Sequence, residues 1–133
     1  MVFPKHFEQK IEFDKVKQLI ANLCVGAHAK ELIDGLQFTD KLDDIVRMAS
    51  EAHEFCTICQ EDSDAFPIEG FFDTRAYLKR IATEGTYLTE AELFELYKSL
   101  LTIRRIVQYF SVKTEEDFPY LKQKCADVEA FPE

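Results

Sequence analysis

An all-α fold, an irregular bundle of helices, is what this sequence predicts, and three observations carry the prediction. Apolar residues recur at spacings of three and four through most of the chain, the stripe of an amphipathic helix. One segment, Thr89-Glu90-Ala91-Glu92, opens with a complete capping box. Only four Gly and four Pro interrupt the 133 residues, and no alternating run bounded by a two-residue turn suggests a strand hairpin. A hydrophobic share of 47%, with 12 Phe and 5 Tyr, supplies the bulk for a core, so residues 1–133 read as a single helical domain.

The elements follow in order. Pro4 suits a first helical turn, and Phe7, Ile11, Val16, Leu19, Ile20 and Leu23 trace the apolar side of an opening helix. Gly26 permits a break. Ala27 to Asp34 reads as a short helix with Leu32 and Ile33 inward and Gly35 as its stop. Behind a cap at Thr39 or Asp40, the inward line Leu42, Ile45, Val46, Ala49, Ala52, Cys56 and Cys59 predicts a long helix over residues 40–60 with an acidic outer face. Glu61 to Phe72, holding Pro67 and Gly70, reads as a loop whose Phe66, Ile68, Phe71 and Phe72 fold back over the core. Asp73 caps a short helix reaching about Thr83, stapled by Phe72 and Tyr77. The capping box then starts a helix over residues 89–111, with Leu88 and Leu93 at its staple positions and Leu93, Leu96, Leu100, Ile103, Val107 and Phe110 inward. Phe94, Tyr97, Leu101 and Ile106 flank that line and make the apolar surface unusually wide. Thr114-Glu115-Glu116-Asp117 starts a last helix carrying Phe118, Leu121 and Cys125.

Charge narrows the function classes. The net charge is −9, and the acid sits in one block: residues 31–73 hold twelve acids and two bases, while residues 74–113 hold seven bases and four acids. Phosphate neutralisation dominates nucleic-acid affinity, so weak DNA binding at most is expected of such a chain. No apolar run is long enough to span a bilayer and residues 1–20 carry charge throughout, which points to a soluble, cytoplasmic protein.

Chemical motifs are sparse. None of Gly26, Gly35, Gly70 and Gly85 is followed by Lys, so no phosphate loop exists in this stretch, and Ser50, Ser63, Ser99 and Ser111 lie in no nucleophile elbow. Cys56-Thr57-Ile58-Cys59, with His53 three residues earlier, has metal-like spacing, but a structural zinc site wants a second close pair that the chain lacks. Buried or half-buried helix cysteines are the expectation. Asp43 with Asp44 reads as helix N-terminus electrostatics, and Glu61, Asp62 and Asp64 as a solvated loop. No catalytic, cofactor-binding or metal residue is therefore expected. Arg75, Lys79 and Arg80 on one helix and Arg104 and Arg105 on another are the residues that could contact nucleic acid or a neighbouring domain. Pairing of Arg75 and Arg80 with acids such as Asp73 or Glu84 is the competing expectation.

The stretch from Phe72 to Leu93 resembles the N-terminal region of the type-two MutS family, bacterial paralogues of the mismatch-repair MutS ATPase. Asp73, Arg75, Leu78, Arg80, Gly85, Leu88, Glu92 and Leu93 carry the resemblance, Phe7 to Val16 and Phe38-Thr39-Asp40 extend it, and it covers residues 3 to about 112. Ala76 stands where the family usually has Pro, Ile81 where it usually has Ala, and Cys56 and Cys59 where it has ordinary helix residues.

The resemblance implies a leading core and lever segment of a longer protein: a DNA-binding, ATP- and Mg²⁺-dependent, homodimeric ATPase, usually with an Smr nuclease domain. Such proteins are associated with suppression of homologous recombination and with splitting of stalled ribosomes. The segment itself would be structural and coupling, its wide apolar face packing on helices elsewhere in the parent. A free-standing acidic helical adaptor is the rival expectation.

Overall fold

The computed structural model describes residues 6–114 and 116–129. Every regular element among them is a helix: α1 (Phe7–Lys10), α2 (Phe13–Leu23), α3 (Ala27–Asp34), α4 (Leu42–Glu61), α5 (Arg75–Ile81), α6 (Glu90–Ser111) and α7 (Pro119–Cys125). The all-α expectation holds. The chain divides into two compact units, Met1–Lys41 and Leu42–Glu133. The expected roles of Pro4 and Glu115 lie outside the described residues.

In the first unit the opening stripe does not run through one helix. Glu12 adopts a left-handed backbone conformation, φ 59°, uncommon for a residue with a Cβ, and separates α1 from α2. Phe7 and Phe13 pack on Phe38, with ring centroids 5.6 and 4.5 Å away. Lys17 ties this cluster down: its ammonium lies 5.3 Å over the Phe13 ring and 3.6 Å from the Glu8 carboxylate, and donates to the Asp34 carbonyl. Leu19, Leu23 and Leu32, expected inward, are exposed because this small aromatic cluster leaves their sides of α2 and α3 uncovered. Gly35 ends α3 with φ −76°, so it is not used as a left-handed stop. Thr39 accepts the backbone N–H of Lys41, just before α4 begins.

The second unit is organised around Ile58, which is fully buried, with Tyr109 and Phe110 of α6. Phe66, Ile106, Phe118, Leu121 and Cys125 close around them. Phe66 meets Phe55, Tyr109 and Phe110 edge to face at 5.7, 5.2 and 6.0 Å, each contact adding to plain area burial.

α4 turns its polar side to α7. The Glu54 carboxylate accepts the backbone N–H groups of Tyr120 and Leu121 at 3.1 and 2.9 Å, satisfying donors that a helix start leaves open. Glu51 pairs with Lys124 at 3.0 Å and with Arg47 at 3.1 Å. The line expected inward, from Leu42 through Ile45, Val46, Ala49, Ala52, Cys56 and Cys59, is exposed instead. The last helix also starts later than expected. Asp117 takes the N–H and hydroxyl of Thr114 in a local turn, and α7 begins at Pro119, after Phe118 at φ 54°.

Between α4 and α5 an extended strap lies along α6. Phe72 donates its N–H to the Ser99 hydroxyl at 2.9 Å, and the Thr102 hydroxyl donates to the Glu69 carbonyl at 3.1 Å. Gly70, at φ 90°, presses against Thr102 so closely that a Cβ there would stand 2.7 Å from Thr102 Oγ1. Of the four apolar strap residues expected over the core, Phe66 packs into it, whereas Ile68, Phe71 and Phe72 stay largely exposed. α5 stops at Ile81, short of Thr83. Among the described residues no helix is long and apolar enough to cross a membrane.

Candidate functional site

The cations singled out in the sequence lie around the α5–α6 corner and along α6. Thr89 and Glu92 form the expected capping box: the Thr89 hydroxyl accepts the Glu92 N–H at 3.3 Å and Glu92 Oε2 accepts the Thr89 N–H at 2.9 Å. Glu92 has a second task. Arg80 donates to the same carboxylate oxygen at 2.5 Å and to the Tyr87 carbonyl at 3.4 Å. The Arg80 guanidinium, aided by the Thr89 backbone donor, pushes the Glu92 carboxyl down to about 2, and the carboxylate in turn raises Arg80.

Arg75 folds onto Asp73 through a two-pronged bond, Nε to Oδ1 at 2.7 Å and Nη2 to Oδ2 at 2.5 Å. Asp73 Oδ1 also accepts the Arg75 backbone N–H at 3.3 Å, so it serves the helix start from one place earlier than a standard cap. Tyr77 donates to Glu95 at 2.5 Å, and that carboxylate raises the phenol's pKa. Between the helices the Thr86 hydroxyl donates to the Arg80 and Thr83 carbonyls, and Gly85 takes φ 83°. The corner is thus a bracket of mutually satisfied charges.

The expected pairing of Arg75 with an acid is met at Asp73, while Arg80 takes Glu92, twelve residues on, rather than Glu84. Both guanidinium groups are occupied, which leaves them little freedom to engage phosphate. Lys79 lies exposed in the last turn of α5. Arg104 and Arg105 are exposed on successive positions of α6 and point to different sides. Arg105 lines an open groove of about 470 Å³ with Asp64, Phe66, Pro67, Gln108, Tyr109 and Val112.

Arg104 instead continues an exposed apolar stripe. Leu93, Tyr97 and Leu100 recur at helical spacing on its side of α6, with Phe94 beside them, each with 55–57% of its surface open. The residues of α6 that are covered are Ser99, Thr102, Tyr109 and Phe110. Leu93 and Leu100 were expected inward. The helix is turned by roughly a quarter turn from that expectation, because the strap's backbone groups need the Ser99 and Thr102 hydroxyls as partners. No buried side-chain polar atom among the described residues lacks one.

A second cluster escaped the sequence reading. Asp62, expected in a solvated loop, accepts the Tyr109 hydroxyl at 2.8 Å and is paired with Lys113, whose ammonium sits 4.8 Å from the Tyr109 ring centre. Lys113 first, then Tyr109, lowers the Asp62 carboxyl, and Asp62 raises Lys113. These partners are 47 and 51 positions from Asp62, and no local spacing announces them. The cluster ties the end of α4 to the end of α6 and has the build of a structural clasp.

All four cysteines are free. Cys56 and Cys59 are exposed, against the expectation of buried or half-buried thiols, because α4 faces α7 with the opposite side. Cys24 and Cys125 are half-buried, and burial pushes the Cys125 thiol up. Among the described residues no three His, Cys, Asp or Glu side chains converge on a point where a metal ion could be held.

With this geometry in hand, the chain can be set beside known proteins. It is 31% identical over 113 residues to a Clostridium botulinum protein (strain Eklund 17B / Type B) named Endonuclease MutS2, which takes in 84% of this chain and 14% of that protein. It is 28% identical over 125 residues to an Endonuclease MutS2 of a Geobacillus species, 92% of this chain and 16% of the relative. A Clostridium kluyveri protein of the same name is 28% identical over 119 residues, 89% of this chain and 15% of its own length. The chain therefore spans about a seventh of these relatives, and the resemblance read in its residues is to a MutS2 segment. No family model and no solved structure matches.

Proposed function

We propose that these residues form the N-terminal core and lever segment of a MutS2-type DNA-binding ATPase and endonuclease, and that the segment's task is mechanical. It holds and couples; it does not catalyse. The supporting observation is the pairing of a match over 84–92% of this chain with only 14–16% of the relatives. The parent activity then belongs to parts outside these residues: ATP and Mg²⁺ bound by an ATPase, an endonuclease domain, and a homodimer that acts on DNA or on stalled ribosomes, with suppression of homologous recombination among its consequences. A cytoplasmic location accords with these roles.

Within this reading the charged α5–α6 bracket links two helices through Arg80–Glu92 and Tyr77–Glu95, and the open face of α6 receives a neighbouring helix of the parent chain. A bonded corner next to an open apolar face suits a coupling element, because a load applied at the face can pass through the side-chain bonds at the corner. Arg104, at the end of that stripe, serves as an interdomain contact more readily than as a phosphate ligand.

The decisive experiment is to read the native gene beyond the codon for Glu133. A frame that continues into a phosphate-loop ATPase is the expected result. A stop codon directly after Glu133 would overturn the reading in favour of a free-standing acidic adaptor whose acidic stretch, residues 31–73, recruits a basic partner. Binding of the purified chain to branched DNA, measured at two salt concentrations, is expected to give no salt-dependent signal near physiological ionic strength.

A further inference from the structure

The exposure of Cys56 and Cys59 leaves two thiols open on one side of α4, one helical turn apart. Their spacing has a chemical consequence. Side chains three apart on a helix have Cβ atoms about 5–6 Å from each other. A disulfide needs Cβ atoms about 3.5–4.5 Å apart. The pair is therefore held too far apart to oxidise internally while α4 stays wound, yet close enough for both sulfurs to reach one ion placed between them. The helix that holds them is fixed on its other side by the Glu54 carboxylate on α7 and by buried Ile58, so unwinding it to close a disulfide would disturb the core.

We propose that Cys56 and Cys59 form a two-thiolate site for a soft monovalent d¹⁰ ion of the Cu(I) class. Thiolates select soft ions, and two ligands suffice for an ion that accepts linear coordination. Zinc would be left with two of its four tetrahedral positions to be filled by water, since no third His, Cys, Asp or Glu converges there among the described residues. One turn away along α4, Ala52 and Phe55 carry no ligand atom, while His53 stands three before Cys56 and Gln60 four after it. Binding involves no electron transfer. Two thiols lose their protons, one ion enters, and a dithiolate complex of charge −1 forms with release of two protons, so affinity rises with pH.

The test is a titration of the reduced, purified chain with Cu(I) under anaerobic conditions against a chromogenic Cu(I) chelator, with zinc titrated in parallel. One equivalent of Cu(I) is expected to be retained, with about two protons released per ion in weakly buffered solution, while zinc is stripped by a mild chelator. Cys56→Ser and Cys59→Ser, both exposed positions whose change leaves the core intact, should each abolish retention. Cys24→Ser and Cys125→Ser should each keep it. Retention of a full equivalent by Cys56→Ser, loss of it in Cys24→Ser or Cys125→Ser, or retention of zinc as tightly as Cu(I) would each overturn the proposal. So would capture of the ion between two chains, read as a doubling of mass on metal addition.

Discussion

The two ends of α6 are built to opposite specifications. From Ile106 to Phe110 the helix is sunk in an aromatic cluster with Phe66 and Ile58, and the Tyr109 phenol is bonded to Asp62. From Leu93 to Thr102 it shows Leu93, Phe94, Tyr97 and Leu100 outward and buries the small hydroxyl residues Ser99 and Thr102 instead. One helix thus carries both a core and a surface that resembles one. Hydrophobicity alone does not decide which residues a helix buries; the backbone groups that must be satisfied beside it also vote.

The sharpest way to break that contrast is truncation at the core end. Phe110→Ala removes a ring that is 4% exposed, and should cost about 3–5 kcal/mol, read as a lowered midpoint in urea unfolding. Leu100→Ala, on the same helix but 55% exposed, should stay within about 0.5 kcal/mol of the parent. Equal losses at the two positions would mean that the open face is covered within this chain after all.

The strap gives the next largest effect. Gly70→Ala places a Cβ against Thr102 Oγ1 in a backbone conformation, φ 90°, that side chains disfavour, so a loss of about 1–3 kcal/mol is expected. Thr102→Ala relieves the clash but strips the Glu69 carbonyl of its donor. The double variant should therefore lose less than the two singles combined, and a urea double-mutant cycle measures the coupling.

How much of this was legible in the sequence divides along the same line. The helices and the capping box were, because Thr89 and Glu92 act over three residues and need no tertiary partner. The α5–α6 corner was half legible: Asp73 and Arg75 are two apart, whereas Arg80 reaches Glu92 across a turn whose geometry only the fold supplies. The facing of α6 was legible only in part, since Phe110 of the inward line is buried while Leu93 and Leu100 are exposed, and that of α4 was not legible. Periodicity says that a helix has an apolar side, but not whether this chain contains the element that covers it. Glu54 as a remote cap and Asp62 as a clasp depend on partners more than forty positions away.

Acid separates the corner from the core. The Glu92 carboxyl, ordinarily at 4.5, is held at about 2 by Arg80 and the Thr89 backbone donor. A depressed carboxylate pKa contributes stability that is complete above the unfolded value and drains away as pH falls through the folded one. The α5–α6 corner should therefore loosen between about pH 4.5 and 2, and Glu92→Gln should flatten that part of the stability profile. Thr89→Ala, which removes the cap but leaves the ion pair, should cost about 1 kcal/mol. Its acid loss should remain, because Arg80, the largest cause of the shift, is untouched.

The smallest expected effect on stability is also the most informative about the open end. Replacing Leu93 and Tyr97 with Ser and Gln reduces apolar surface that is more than half open, so the unfolding midpoint should move within the scatter of ordinary surface changes, about 0.5 kcal/mol. What should change is the behaviour of the folded chain toward other apolar surfaces. Binding of an environment-sensitive hydrophobic dye to the native protein should fall, and any concentration-dependent association should weaken with it. A variant that lost stability and kept its dye binding would relocate the sticky surface elsewhere, to α4 or α2, and would remove α6 as the face on which a neighbouring helix of a longer protein is received.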